Sequence, residues 1–289
     1  MNSLDSKLIE KLVRAALAED RAGEDVTTAA LVPPDQRGRA VLIAKESGVL
    51  AGITVAEAAF AGVDSALDWA AHMEDGAPLV PEDRVAEVGG SLASILRAER
   101  VALNFLTHLS GVATAAHEVV RALEGTRCRL RDTRKTIPGL RALEKYAVRM
   151  GGGTNHRLDL ADGFLVKDNH LAALRARGLG IKDAVRLARE AQPGMRIEVE
   201  VASLQEAREA LATGVDEMLL DNMSPGEIRN VVAMVAGRDP RPALEASGGI
   251  KLANARAVAE TGVDYISMGA ITHSAKALDM SLEVEVGGP

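Results

Sequence analysis

From Cys128 to Met268 the sequence repeats one pattern, and that pattern constrains the fold more than any other feature. Short strand-like runs at Cys128–Arg131, Phe164–Val166, Arg196–Val201, Glu217–Leu220, Ala243–Ala246 and Tyr265–Met268 alternate with helical stretches at Leu140–Met150, Lys182–Glu190, Leu204–Thr213, Glu227–Val235 and Leu252–Thr261. Strict alternation predicts a parallel sheet with helices outside it. A barrel is favoured over an open doubly wound sheet, because no early Gly-x-Gly-x-x-Gly opens a strand-to-helix turn. Aromatic residues are 2% of the chain while hydrophobic residues are 47%, so Ala, Val, Leu and Ile must build the core.

The first part of the chain reads differently, as an α+β domain over residues 1–111. Residues 7–19 carry a partial helical stripe (Leu8, Leu12, Ala15, Ala16, Ala18), and Gly23–Thr28 is turn-rich. Arg39–Ala44 and Val49–Ile53 read as strands around a Glu46-Ser47-Gly48 turn, Val55–Ala61 as a helix, and Ala66–Ala71 and Arg84–Val88 as further strands. Ser94–Leu109 is an amphipathic helix with Ile95, Ala98, Ala102, Phe105, Leu106 and Leu109 on its apolar face. Ser110-Gly111 is expected to interrupt it before a second helix over Val112–Leu123. The domain boundary is placed there, with a barrel over residues 112–275 and a tail near 276–289 returning to the first domain.

In parallel α/β barrels chemistry gathers at the carboxyl ends of the strands. Here the strands run into Asp132-Thr133-Arg134-Lys135, Lys167-Asp168-Asn169-His170, Glu200, Asp221-Asn222, Ser247-Gly248-Gly249 and Gly269-Ala270. Asp-Asn and Gly-Gly are ordinary turn formers, but turns do not explain two lysines and an arginine at such places. Pro138 suits the first turn, and Thr136 the cap, of a helix starting near Leu140. Cations beside a helix N-terminus make sense when an anion lies between them. The triple glycine Gly151-Gly152-Gly153 exceeds what a helix cap needs and predicts a close backbone approach to a ligand or a neighbouring element, with His156 and Arg157 following. Glu198 and Glu200 alternate with valines and so share one face of their strand. Lys135, Lys167 or a divalent ion are their candidate partners, and a purely structural Lys–Glu pair competes with a functional role. Ser247-Gly248-Gly249 and Gly269-Ala270, with His273-Ser274 nearby, stand where barrels commonly hold a phosphate. His72, His108, His117, Trp69, Tyr146 and Cys128 read as packing residues.

Charge sharpens the picture. The chain carries a net charge of −7, which argues against a general nucleic-acid binder, whereas residues 131–171 hold eight Arg and Lys against five Asp and Glu. A basic island in an acidic protein points to a small anionic ligand. One cysteine permits neither an internal disulfide nor a cysteine zinc cluster. Met1–Asp5 lacks the pattern of a secretion leader and no uncharged apolar run reaches membrane-spanning length, so a cytoplasmic protein is expected.

Over nearly the whole length the sequence resembles the quinolinate phosphoribosyltransferases. The matching pieces are Glu24-Asp25-Val26-Thr27-Thr28, Ala98-Glu99-Arg100-Val101-Ala102-Leu103-Asn104, Arg131 through Thr136, Gly151-Gly152-Gly153, Asn155-His156-Arg157, Lys167-Asp168-Asn169-His170, Leu219-Leu220-Asp221-Asn222 and Ser247-Gly248-Gly249-Ile250. The resemblance implies an N-terminal α/β sandwich followed by an incomplete parallel α/β barrel. It implies a homodimer, or a higher homo-oligomer, whose active sites borrow residues across subunits. The implied reaction joins quinolinate to phosphoribosyl pyrophosphate with magnesium, giving nicotinate mononucleotide, pyrophosphate and carbon dioxide for NAD biosynthesis. It assigns the quinolinate carboxylates to Arg134, His156, Arg157 and Lys167, with Arg100 from the other subunit. Lys135, Glu200 and Asp221 are assigned to phosphoribosyl pyrophosphate and its magnesium, and Ser247, Gly248, Gly249, Gly269 and His273 to its phosphate. Two small departures, Glu24 where Gly is common and Ala202 where an acidic residue is common, touch none of these positions.

Two other readings stand beside this one. A molybdenum-transport-associated relative shares the Arg-Lys-Thr run, but the Lys167–His170 match favours quinolinate. A non-catalytic phosphate-ligand binder on the same barrel has no use for Glu200 and Asp221 unless it binds a metal.

Overall fold

A computed structural model of the chain describes residues 4–285. Residues 1–3 and 286–289, which the sequence reading gives to the first domain and its tail, lie outside the described residues. In chain order the elements are α1 (Ser6–Glu19), α2 (Val26–Leu31), β1 (Arg37–Ala44), β2 (Gly48–Val49), α3 (Ile53–Val63), β3 (Asp68–Ala71), β4 (Pro78–Leu79), β5 (Arg84–Ser91) and α4 (Leu92–Ala122). There follow β6 (Arg129–Arg131), α5 (Arg141–Met150), β7 (Phe164–Val166), α6 (Asp168–Arg175), α7 (Ile181–Ala191), β8 (Ile197–Val201), α8 (Leu204–Leu211) and β9 (Glu217–Asp221). The last are α9 (Pro225–Val235), β10 (Ala243–Ser247), α10 (Leu252–Ala259), β11 (Tyr265–Ser267), α11 (Ala270–His273) and β12 (Met280–Glu285). No helix among the described residues is long and apolar enough to cross a membrane.

The chain forms two compact units. The first runs to His117 and also takes Ile137–Gly152 and the segment from Ser274; the second is Glu118–Thr136 with Gly153–His273. Unlike a single cut at 111/112, this division gives α5 to the first unit.

The first unit is built on an antiparallel sheet of order β12-β1-β5-β3. Ala40–Ala44 of β1 are all buried, so that strand is covered on both faces. Helices α1 and α3 pack on each other, and the Phe60 ring of α3 lies 5.5 Å from Trp69 of β3. Two expectations fail here. Val49–Ile53 is no strand: after the two-residue β2 the chain turns at Gly52, and Ile53 opens α3 with its N–H donating to Asp75 Oδ1 at 3.0 Å. The turn-rich Gly23–Thr28 also hides α2, started by Asp25, whose Oδ1 accepts from the N–H groups of Thr27 and Thr28.

The expected break at Ser110-Gly111 does not exist, and α4 runs unbroken. The small residues serve tertiary approach instead. Ser110 Oγ accepts from Ala51 N–H at 3.0 Å, and a methyl at Gly111 would overlap the Lys276 carbonyl oxygen. The first glycine of the triple behaves alike: a Cβ on Gly151 would overlap the Ala113 carbonyl oxygen, so this position admits a neighbouring helix. Thr136 is not the N-cap of α5: that position is Leu140, without a side-chain cap, and the helix begins at Arg141, while the Thr136 hydroxyl donates to the Arg134 carbonyl.

The second unit bears out the parallel barrel reading. Its sheet has the order β6-β11-β10-β9-β8-β7, with all pairings parallel. That is the winding of a barrel in which each strand neighbours the next in sequence and β6 returns beside the last strand. No strand pairing closes β6 onto β7 among the described residues, which leaves the barrel incomplete. Strand interiors are apolar (Ile197, Val199, Val201, Met218, Leu220, Leu244, Ala246, Ile266), as strands covered on both faces require. Ser203 starts α8 by accepting from Glu206 N–H, and Ser224 and Glu227 cap α9 reciprocally with Pro225 in its first turn.

Candidate active site

The parallel register brings the carboxyl ends of the strands to one end of the second unit, and a cavity of about 330 Å³ opens there. Arg134, Lys135, His156, Arg157, Lys167, Glu200, Asp221 and Ser247 all line it, so eight residues from six separate segments meet. The volume suits a small ligand.

The cationic side is built on Asp132, which is fully buried after β6. Asp132 accepts from the His156 backbone N–H at 2.8 Å and from Asn155 Nδ2 at 2.6 Å, tying the segment of Arg134 to that of Arg157. Arg157 is buried and donates from Nη1 to the Gly163 carbonyl at 3.0 Å. Burial and the neighbouring positive charge of Arg134 hold its guanidinium below the ordinary arginine range. The Nε atoms of Arg134 and Arg157 are both buried without a hydrogen-bond partner. Two guanidinium groups lining one cavity, each with an orphaned donor and one acting on the other through its charge, form a site that an anion completes.

Lys135 crosses toward β11. Its carbonyl accepts from Thr272 Oγ1 at 2.7 Å, and its Cδ lies so near Gly269 that a Cβ there would come within 2.9 Å. Gly269 thus makes room for the lysine stem and for the His273 ring beside it. Gly248 (φ +88) and Gly249 (φ +63) follow Ser247, and a Cβ on Gly248 would strike the Asn222 carboxamide. These glycines and His273 adjoin the cavity's lining residues rather than belonging to them.

The anionic side holds Glu200 and Asp221. Glu200 lies 3.9 Å from Lys167 Nζ and accepts weakly from Asp168 N–H, at 3.4 Å, where α6 begins. Burial pushes its carboxyl up, and the charge of Asp221 adds to that rise against the pull of Lys167. Asp221 accepts from Asn222 Nδ2 at 2.8 Å. Glu200 and Asp221 are half-buried carboxylates lining one side of the cavity, and their oxygens suit a hard divalent cation such as magnesium.

Below them lies a charged network that sequence reading mostly missed. Glu198, expected to meet a lysine or a metal, instead accepts from His156 Nε2 at 2.8 Å. Arg131 is buried, bidentate to Glu217 at 2.8 and 3.2 Å and bonded to Glu245 at 2.8 Å, with its guanidinium 3.3 Å from the centre of the Tyr265 ring. Burial works against that charge, but the two carboxylates outweigh it and raise its pKa. Burial, with the charge of Glu198, pushes the Glu245 carboxyl up. His156, Glu198 and Glu245 present ligand atoms within 4.8 Å of one another. Their chemistry does not suit a metal: His156 Nδ1 already accepts from Arg157 N–H at 2.7 Å, so metal on Nε2 would require an imidazolate.

Thr133, Leu165, Leu219, Glu245 and Ser267 also line the cavity. The lone carboxylate of Glu245 between Leu244 and Ala246 was a readable signal, since a charge in an apolar strand needs a partner. Arg100 is elsewhere: it lies on α4 in the first unit, its side chain 64% exposed and 3.9 Å from Glu99. Of the residues assigned to packing, His108 bonds Glu144 at 2.9 Å and Tyr146 donates to Asp75 at 2.7 Å; neither partner is near in sequence.

Residues 25–110 match the family model for the quinolinate phosphoribosyl transferase N-terminal domain, and residues 112–283 match that for the C-terminal domain. The chain is similar to a nicotinate-nucleotide pyrophosphorylase [carboxylating] of Mycobacterium leprae, 44% identical over 94% of this chain and 95% of the relative. It is similar to the Homo sapiens protein of the same name, 41% identical over 96% and 93%. A solved nicotinate-nucleotide pyrophosphorylase from Francisella tularensis superposes with a TM-score of 0.91 at 38% identity, covering 98% of each chain.

Proposed function

Because the chain belongs to the quinolinate phosphoribosyltransferase family, we propose that its strand-end cavity transfers the phosphoribosyl group of phosphoribosyl pyrophosphate to quinolinate with decarboxylation. The products are nicotinate mononucleotide, pyrophosphate and carbon dioxide, and the reaction serves NAD biosynthesis. The observation that carries this reading is the meeting of Arg134, Arg157 and Lys167 with Glu200 and Asp221 in one cavity.

Quinolinate is a dianion, and its two carboxylates need fork-shaped and point-charge donors. Arg134, Arg157 and Lys167 supply them, with His156 beside Arg157, and Lys135 with Ser247 and the following glycines takes the phosphates. When pyrophosphate leaves, the ribose carbon gains positive charge, which Glu200 and Asp221 stabilise. The pyridine nitrogen attacks that carbon and becomes quaternary. Only then can the electron pair left by departing carbon dioxide rest beside a positive nitrogen, so decarboxylation follows transfer, and that carbon then takes a proton from water to give the product. Glu200 and Asp221 would hold magnesium, which when bound supplies charge neutralisation to the pyrophosphate oxygens. The protein works in the cytoplasm as a homodimer, with Arg100 of one subunit completing the quinolinate site of the other.

Turnover decides the matter. With quinolinate, phosphoribosyl pyrophosphate and magnesium, pyrophosphate and carbon dioxide should appear in equal amounts, and a chelator should stop both. Binding without turnover would leave a phosphate-ligand binder, and release of an unribosylated pyridine monocarboxylate would reverse the order of steps. Subunit sharing has its own test: mixing inactive Arg100→Ala and Lys167→Ala chains should restore part of the activity, and confirmed heterodimers without recovery would count against it.

A further inference from the structure

His156 lines the cavity, yet both of its ring nitrogens are engaged within the protein. Nδ1 accepts from the Arg157 backbone N–H at 2.7 Å, and Nε2 lies 2.8 Å from Glu198 Oε2. A nitrogen that accepts carries no proton, so the ring proton sits on Nε2 and is donated to Glu198. The backbone of residue 156 is fixed separately, its N–H donating to buried Asp132 at 2.8 Å. Glu198 is 1% exposed and stands in β8, one inward position before Glu200, so the strand sets its place. From that strand a chain of hydrogen bonds runs through the imidazole to the backbone of Arg157.

We infer that Glu198 is a positioning residue for carboxylate recognition: it fixes the His156 ring, the ring fixes the Arg157 backbone, and the Arg157 guanidinium is thereby set toward the cavity. Arg157 has little else to hold it. Beyond its Nη1 bond to the Gly163 carbonyl, its Nε is buried without a partner, and Arg134 repels it. The carboxylate of Glu198 also offsets that repulsion. Orientation and counter-charge thus come from one side chain that touches no substrate.

The inference rests on the reading of the cavity as a quinolinate site, and kinetics on the full chain separate the two. Turnover of quinolinate by the parent protein tests the functional reading. Glu198→Ala tests the positioning role: its KM for quinolinate should rise about tenfold to a hundredfold, as loss of a buried charged hydrogen bond predicts. The KM for phosphoribosyl pyrophosphate should stay near the parent value. Glu198→Gln, whose amide oxygen still accepts from Nε2, should recover most of the lost quinolinate affinity. If Glu198→Ala does not fold, Glu198→Asp, one methylene short of the ring, should raise the quinolinate KM alone. An unchanged quinolinate KM in the variant that folds, or an equal rise in both KM values, would overturn the inference.

Discussion

Arg134→Ala and Lys167→Ala should each lose most of their use of quinolinate while remaining as stable as the parent. Removing one partner of a desolvated charge pair costs roughly 2–5 kcal/mol, or about 30- to 5000-fold in kcat/KM. Arg134 should sit toward the upper end, because its Nε is buried and finds no partner in the protein. Lys167 should sit lower, since it is 47% exposed and keeps water near its ammonium. The stability half of the expectation is the sharper one. The Lys167 ammonium has only a loose 3.9 Å approach to Glu200, and Arg134 repels Arg157. Removing Arg134 therefore relieves a repulsion that Glu198 offsets only in part, and the melting temperature should hold or rise slightly. Steady-state kinetics and thermal unfolding on the same preparations check both halves. Parent-like quinolinate affinity in both variants would overturn the assignment of these cations, and a large fall in melting temperature would make them structural.

The contrast between Arg134 and Glu198 explains what the sequence could reveal. Cations at strand ends stand out in a string of letters because no turn or core needs them, so Arg134, Lys135 and Lys167 were readable at once. The barrel was readable for a similar reason, since alternation is a local pattern. Pairings are not local. His156 and Glu198 lie 42 residues apart, and nothing in either neighbourhood names the other. Helix continuity fails similarly. Ser110 and Gly111 look like a break, but they are small because Ala51 and Lys276 come close to α4, which only the folded chain shows. Helix α6 was missed because Lys167–His170 reads as a strand-end loop. Its start is set by His170 Nδ1 accepting from the Lys167 N–H at 2.9 Å, a cap made by a residue type with no strong capping signal.

The second large effect concerns stability. Arg131→Met should destabilise the barrel by about 3–5 kcal/mol, the range for breaking a buried ion network from one side. The arginine is 5% exposed and is the shared counter-charge of Glu217 and Glu245, which are 7% and 1% exposed. Glu217 keeps a second partner in Arg196 at 3.1 Å, so most of the loss falls on Glu245. Losing Arg131 leaves that carboxylate beside Glu198 without its nearest cation. Arg131→Lys should fall between, because an ammonium keeps the charge but cannot fork to two carboxylates or lie flat against Tyr265. The triple replacement Arg131→Met, Glu217→Leu, Glu245→Leu should regain much of the stability, since removing these three charges together removes the desolvation cost that the single variant exposes. Urea unfolding midpoints at neutral pH measure the series. A parent-like midpoint for Arg131→Met would show that the carboxylates need no cation in this interior. A triple variant no better than the single would show that the loss is one of packing rather than of charge.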